Sequence, residues 1–232
     1  EGGWDYIVDK GWTKYIDKEK VHHINNGVDL AQFNIKKETY RMESLGSLCD
    51  ESSFNVVYTG SIRRANGLLL LLDAAKIIRE IQPNIQFLLF GDGDDKPELE
   101  KYCREYKLNN VHFLGRIDKN FIPFVLSMAD CNVLNYQEAG TWKYGGSQNK
   151  LFEYLASGKP IVSNVHIGYS LIERYSCGIV ADDNNAEAYA QAILNIYNLN
   201  KEEYENMCTN ATKVACMYDY RILVEKLINV ID

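Results

Sequence analysis

Residues 54–91, "FNVVYTGSIRRANGLLLLLDAAKIIREIQPNIQFLLFG", decide the fold. Two short β-branched and aromatic runs, "FNVVYTG" (54–60) and "IQFLLFG" (85–91), each close on a glycine, as strands do before a turn. Between them "GLLLLLDAAKIIREI" (67–81) spaces its apolar residues by three and four and stops before "QPN", the pattern of an amphipathic helix with one buried face. Strand, helix and strand in that order predict a parallel pair joined by a crossover helix.

The alternation continues. Further strands are expected at "VHFLG" (111–115), "CNVLN" (131–135), "PIVSN" (160–164) and "GIVAD" (178–182), with helices at 96–108, 119–129, 147–157 and 186–199. Two last helices, 201–217 and 219–231, follow the sheet without another strand. The fold class is therefore α/β, a doubly wound parallel six-stranded Rossmann-like sheet with extra C-terminal helices. The first fifty residues read differently: a helix around Trp4, Tyr6 and Trp12, then "KVHHINNGVDLAQF", then the polar "KKETYRMESLGSLCDESS" as linker or surface loop. The division drawn is 1–50 as preceding segment and linker and 51–232 as the sheet domain.

With 232 residues and 46% hydrophobic content the chain can bury a real core. A formal charge of -7 argues against a basic surface for nucleic acid, so any anion site must be local. Six cysteines without a C-x-x-C pair read as reduced, structural thiols. No run reaches the ~20 apolar residues that span a bilayer. The start, "EGGWDYIVDK", carries neither a leader nor an initiator Met, so the sequence reads as a fragment of a longer chain.

In an open parallel sheet, ligands bind beyond the carboxyl ends of the strands. That rule selects Gly60 to Gly67, Gly91 to Asp95, Gly115 to Ile117 and the loop 136–149. "TGSIRRANG" offers loop amides with Arg63 and Arg64 for a phosphate; the alternative is a tight turn with solvated arginines. "FGDGDDK" lacks the third glycine of a dinucleotide fingerprint, and Asp92, Asp94 and Asp95 read as turn formers and a helix cap. "GGSQNKLFEYLASGKPIV" (145–162) puts two glycines and Ser147 at a helix start, where unpaired amides can meet hydroxyl or phosphate oxygens. Glu153, nearly two turns in and among apolar neighbours, would be satisfied by vicinal sugar hydroxyls; the alternative is a glutamate on the wet face. No metal-ligand spacing and no G-x-S-x-G elbow occurs, which disfavours hydrolase and metalloenzyme chemistry. Of the histidines, His112 reads as structural.

With these stretches in order, the chain resembles the family 4 glycosyltransferases of GT-B fold. "HHINNGVDLAQF" (22–33) looks like the interdomain signature, and it is followed by "YTGSIRRANGLLLLLDAAK", "FLLFGDGDDKPELEKYCREYKLNNVHFLGRI", "SMADCNVLN" and "GGSQNKLFEYLASGKPIV". The resemblance covers about residues 20 to 232 and implies one half of a GT-B fold, the carboxyl-terminal domain that binds a nucleoside-diphosphate sugar for retaining transfer. By position, Glu153 would bond the ribose hydroxyls. Gly145, Gly146, Ser147 and Gln148 would meet the donor sugar and distal phosphate, with Asn149, Lys150 and Leu151 continuing the turn. Arg116 and Ile117 would bracket the base, and Gly60 would approach the diphosphate.

Three positions depart from the family. Its diphosphate arginine and lysine are matched here by Ser61 and Asn66, with Arg63 or Arg64 as substitutes, and its first glutamate by Gly145, for which Glu138 in "YQEAGTWKYGG" could compensate. Such variation resembles a bacterial capsule and surface-polysaccharide branch.

The resemblance further implies a glycan or lipid-linked acceptor held by an amino-terminal domain outside this sequence. It also implies a cytoplasmic place with peripheral membrane association, no cofactor and no metal, and it names no catalytic residue. Two other readings compete: a non-catalytic module that binds a nucleotide or a partner, and a Rossmann dehydrogenase with NAD at 91–95.

Overall fold

The computed structural model describes residues 1–42 and 52–231. In chain order these form α1 (Gly3–Asp9), α2 (Leu30–Thr39), β1 (Phe54–Thr59), α3 (Leu68–Ile81), β2 (Ile85–Phe90), α4 (Lys96–Glu105), β3 (Val111–Gly115), α5 (Ile122–Ser127), β4 (Cys131–Leu134) and α6 (Asn149–Ala156). Then follow β5 (Ile161–Ser163), α7 (Leu171–Arg174), β6 (Gly178–Val180), α8 (Ala186–Tyr197), α9 (Lys201–Met217) and α10 (Tyr220–Ile231).

The crossover expected from residues 54–91 forms: β1 and β2 run parallel in register from Phe54 opposite Ile85 to Thr59 opposite Phe90. Six strands lie in the order β3-β2-β1-β4-β5-β6, and every neighbouring pair is parallel. Strand order reverses between β1 and β4, so the loops leaving those two strands diverge and leave a crevice at their carboxyl ends.

Side-chain alternation along the strands builds two apolar layers. Val56 and Tyr58 of β1 face α3 and α8, packing with Leu71, Ile78 and Ile193. Val57 faces the other way, toward Val125 of α5, Phe152 of α6 and Val214 of α9. The four central strands are thus covered on both sides, which suits near-continuous apolar runs, whereas most residues of the edge strands β3 and β6 are only partly covered.

The differences from expectation have local causes. The first part of the polar stretch, Lys36 to Thr39, completes α2 rather than a linker, because Asp29 caps that helix by accepting from Gln32 N at 2.9 Å and Phe33 is buried in the second layer. The remainder, 43–51, lies outside the described residues, and Cys49 with it. The helix expected over 96–108 ends at Glu105, where Lys107 turns left-handed at φ 53° and Leu108 N closes onto Cys103 O. The one expected over 119–129 opens with a 3-10 turn, Lys119–Phe121, because Pro123 has no amide to donate and is accommodated only in the first turn of α5. Around Trp4 and Trp12, α1 stops at Asp9 and left-handed Gly11 leads into a second short turn, Trp12–Lys14. Helix α7, capped by Ser170, was not foreseen. Cys103, Cys131, Cys177, Cys208 and Cys216 are free thiols. Among the described residues no helix is long and apolar enough to cross a membrane.

Candidate functional site

The rim of the crevice is shaped by backbone contact. Gly60, at φ +152°, donates its amide to Phe90 O at 3.0 Å, and a Cβ on Gly91 would fall 1.8 Å from the Gly60 carbonyl oxygen. A Cβ on Gly93 would fall 2.2 Å from Ile62 O. The two glycines of "GDG" therefore let the loop after β2 lie on the loop after β1, and Ile62 N bonds Asp92 O at 2.9 Å across that contact. Their service is loop packing, as expected of a stretch that only loosely resembles a dinucleotide turn. Asp92 closes its own turn by accepting from Gly93 N, whereas Asp95 occupies the cap position of α4 without a side-chain cap bond.

Behind Gly60 the polar groups of the first loop are tied together. Asn66 donates its Nδ2 to Ser61 O at 2.7 Å and to Ser61 Oγ at 3.0 Å, and Tyr58 Oη donates to Ser61 O at 2.8 Å. Lys150, from the first turn of α6, enters this network: Nζ donates to Asn66 Oδ1 at 3.3 Å and Tyr58 Oη at 3.4 Å, over the rings of Tyr58 and Tyr136. Burial pulls the Lys150 ammonium down to about 8. Tyr58 and Tyr136 carry no motif signal; three separate chain segments bring them and Asn66 to Lys150.

At the mouth of α6, the backbone amides of Gly146 through Lys150 donate to no acceptor among the described residues. Gly145, at φ +101°, sets the turn and gives its own amide to Trp142 O. Asn149 is exposed and Gln148 partly covered, with the buried Gln148 Oε1 also lacking a partner. The Ser147 side chain faces away from this gap, toward the "HHINNG" segment: its Oγ accepts from Asn26 N at 2.9 Å and donates to Asn25 Oδ1, while Asn26 Nδ2 bonds Asn149 Oδ1. A cavity of about 320 Å³ opens beside the turn, lined by Asn25, Tyr144, Gly145, Ser147, Leu151 and Tyr169.

Glu153 is half-buried, and its carboxylate has no hydrogen bond or ion pair among the described residues. Burial raises its pKa, against the smaller pull of Lys119 and Lys36. Lys36 belongs to α2 and Lys119 follows Arg116 and Ile117 in the chain, so the carboxylate lies within electrostatic reach of both that helix and the loop after β3. There Arg116 is exposed and Ile117 packs against the second apolar layer.

Arg63 and Arg64 are both exposed. Arg64 lines a different cavity, of about 690 Å³, with Asp95, Glu98, Tyr102, Glu138 and Asn184. The structure thus gathers Gly60, Lys150 and the 145–151 turn around the crevice and sets Arg64 with Glu138. His112 bonds Gln86 Oε1 at 2.9 Å, a structural contact. His166 is exposed, 3.5 Å from Glu173. Among the described residues no group of three or more His, Cys, Asp or Glu side chains is placed to hold a metal ion.

A doubly wound sheet with an open amide turn at the strand-order reversal and a half-buried carboxylate on the helix behind it is the arrangement in which open α/β folds take a ligand. Residues 53–198 match the family described as Glycosyl transferases group 1, and the chain belongs to that family. A curated relative, UDP-Gal:alpha-D-GlcNAc-diphosphoundecaprenol alpha-1,3-galactosyltransferase of Escherichia coli, is 28% identical over 190 residues, 78% of this chain and 46% of its own. The chain therefore spans about half the length of that relative. Among solved structures, Anabaena HepE in complex with UDP and glucose superposes with a TM-score of 0.72 at 19% identity, over 90% of this chain and 55% of HepE. The C-terminal domain of the Francisella tularensis group 1 glycosyl transferase LpcC gives 0.63 at 19% identity, over 82% of this chain and 97% of that domain. The fold is accordingly the carboxyl-terminal half of a GT-B fold.

Proposed function

We propose that this chain is the donor-binding half of a retaining glycosyltransferase that takes a nucleoside-diphosphate sugar. Glu153 holds the ribose hydroxyls, the amides of Gly146 to Lys150 receive the phosphate and sugar oxygens, and Arg116 with Ile117 flanks the base. The observation that carries this reading is the pairing of unsatisfied donors with an unsatisfied acceptor at one rim. Five successive amides meet no acceptor among the described residues, three of them on exposed residues and so open to a ligand. They stand at the start of the helix that carries a half-buried carboxylate, which no donor among those residues reaches, and the two together are complementary to a ribose diphosphate.

In the transfer, the bond from the anomeric carbon to the diphosphate oxygen breaks with its electron pair on that oxygen. The acceptor hydroxyl oxygen bonds to the same carbon, and its proton leaves with the diphosphate. Charge grows on the departing group, and the fixed amide dipoles of Gly146 to Lys150 stabilise it without reorganising. Glu153 anchors rather than reacts. No cofactor or metal enters the proposal.

The acceptor, a glycan or a lipid-linked sugar, is held by the amino-terminal half, with residues 1–50 as the connection between halves. The Escherichia coli relative is named for a diphosphoundecaprenol-linked acceptor, which supports a lipid-linked sugar as the acceptor here. Calorimetric titration with UDP, GDP and ADP tests the donor site: one of them binds, and its 2′,3′-dideoxy analogue binds more weakly. If Glu153→Ala leaves that discrimination intact, the ribose assignment is wrong.

A further inference from the structure

Lys150 is a largely covered cation without an acid. Its Nζ lies 4.8 and 4.9 Å from the ring centroids of Tyr58 and Tyr136, and its hydrogen-bond acceptors, Asn66 Oδ1 and Tyr58 Oη, are neutral. Among the described residues no carboxylate pairs with it, although other cations of the chain do find acids, as Lys143 finds Asp9 at 2.8 Å and Arg174 finds Glu1 at 2.7 Å. Desolvating a charge without a counter-charge is costly, and a methionine of similar length would remove the cost. Tyr136, 5% exposed, adds a buried hydroxyl that also lacks a partner.

The position supplies a reason for keeping it. A Cβ on Gly60 would come within 3.3 Å of Lys150 Nζ, so the ammonium lies against the first-loop glycine at the divergence of β1 and β4. It also stands on the turn whose amides are open. Asn66 spends its two donor contacts on Ser61 and turns its oxygen to the lysine.

Resting on the function proposed above, we propose that Lys150, delivered from α6, is the cation that takes the leaving diphosphate, and that Tyr58, Tyr136 and Asn66 are positioning residues that aim it at Gly60. The first loop thereby needs no cation of its own, and exposed Arg63 and Arg64 are secondary. Lys150 keeps its proton throughout, stabilising the growing charge by Coulomb attraction and a charge-assisted hydrogen bond. A diphosphate also repays the desolvation that the empty site leaves uncompensated.

The test titrates the wild type, Lys150→Met, Arg63→Ala and Arg64→Ala with UDP, GDP and ADP and with the matching nucleosides. For whichever diphosphate the wild type binds, Lys150→Met weakens binding by about 10- to 100-fold, more than either arginine variant, and leaves the nucleoside unchanged. Wild-type affinity for the diphosphate falls above about pH 8 as Lys150 deprotonates, and Lys150→Met loses that dependence. The flanking Tyr58 and Tyr136 stay protonated there, because burial raises both. Adding Asn66→Lys to Lys150→Met restores part of the lost affinity. Unchanged diphosphate binding in Lys150→Met, or an equal loss for diphosphate and nucleoside, overturns the lysine assignment and leaves the donor site standing. Failure of the wild type to bind any of the three diphosphates overturns both.

Discussion

At the amino-terminal end of the sheet, Asp130 stands just before β4 and is consumed by its surroundings. It accepts from Asn55 N at 2.7 Å and from Asn55 Nδ2 at 3.5 Å, and its carbonyl receives Tyr204 Oη at 2.8 Å. At the carboxyl-terminal end, Glu153 is raised by burial as Asp130 is, yet no donor among the described residues reaches it. Lys150 is the cationic counterpart: two neutral acceptors, Asn66 Oδ1 and Tyr58 Oη, reach it, but among the described residues no acid does. Burial alone therefore does not mark a functional charge; Asp130 is buried in order to close a strand start, and its partners are built in. The informative feature is a covered charge without a counter-charge bonded to it among the described residues: Glu153 meets no donor, and Lys150 meets only neutral acceptors.

The contrast can be broken most severely through the backbone that holds the rim open. Gly91→Ala sets a methyl 1.8 Å from Gly60 O and is expected to cost about 3 kcal/mol, read as a fall in chemical-denaturation stability. Wild-type stability in that variant would show that the two loops can separate freely. Next comes Lys150. Its folded-state pKa of about 8 lies below the unfolded value of 10.5, so the unfolded chain binds more protons between them and stability rises with pH across that window. The wild type should gain about 2–3 kcal/mol there relative to Lys150→Met, measured as the difference between two pH-stability curves without nucleotide. Coincident curves would mean that the empty site already satisfies the ammonium.

Asp130→Ala should cost about 2 kcal/mol, because it strips a buried amide of its acceptor, and should leave nucleotide affinity alone. Glu153→Gln sharpens the comparison with the smallest stability change and the opposite sign. The folded pKa of Glu153 is raised, so its contribution is fully present below the unfolded value of 4.5 and is lost as pH rises through the folded one. Glutamine removes that loss, and stability at pH 7 should rise by less than about 1 kcal/mol while ribose recognition weakens. A destabilised Glu153→Gln would place a structural donor on that carboxylate after all.

Most of the sheet was legible because each strand is a short apolar run ended by glycine or a polar turn, and a strand covered on both faces needs no finer code. Helix α2 was missed although Asp29 and Gln32 carry a cap signature, because "LAQFNIKKET" has few apolar positions and its single buried residue, Phe33, is fixed by tertiary packing. Helix α7 is four residues long, too short for a period to show. The glycine turn before α6 and the partly covered position of Glu153 on that helix were readable because both are local in sequence. The setting of Lys150 was not: Tyr58 lies 92 positions away and Asn66 84, and only the fold brings them together.

Asn26 joins the segment before α2 to the turn before α6 through Ser147 and Asn149, and it also receives Tyr220 Oη of α10 at 3.1 Å. Two residues on, Val28 bridges to Asp219, with Tyr220 N donating to Val28 O at 3.0 Å. The segment before α2 and helix α10 are thus stitched side by side onto the turn before α6. A swing of either one pulls on the same latch, so a movement outside the domain would be felt first by the amides of residues 146 to 150.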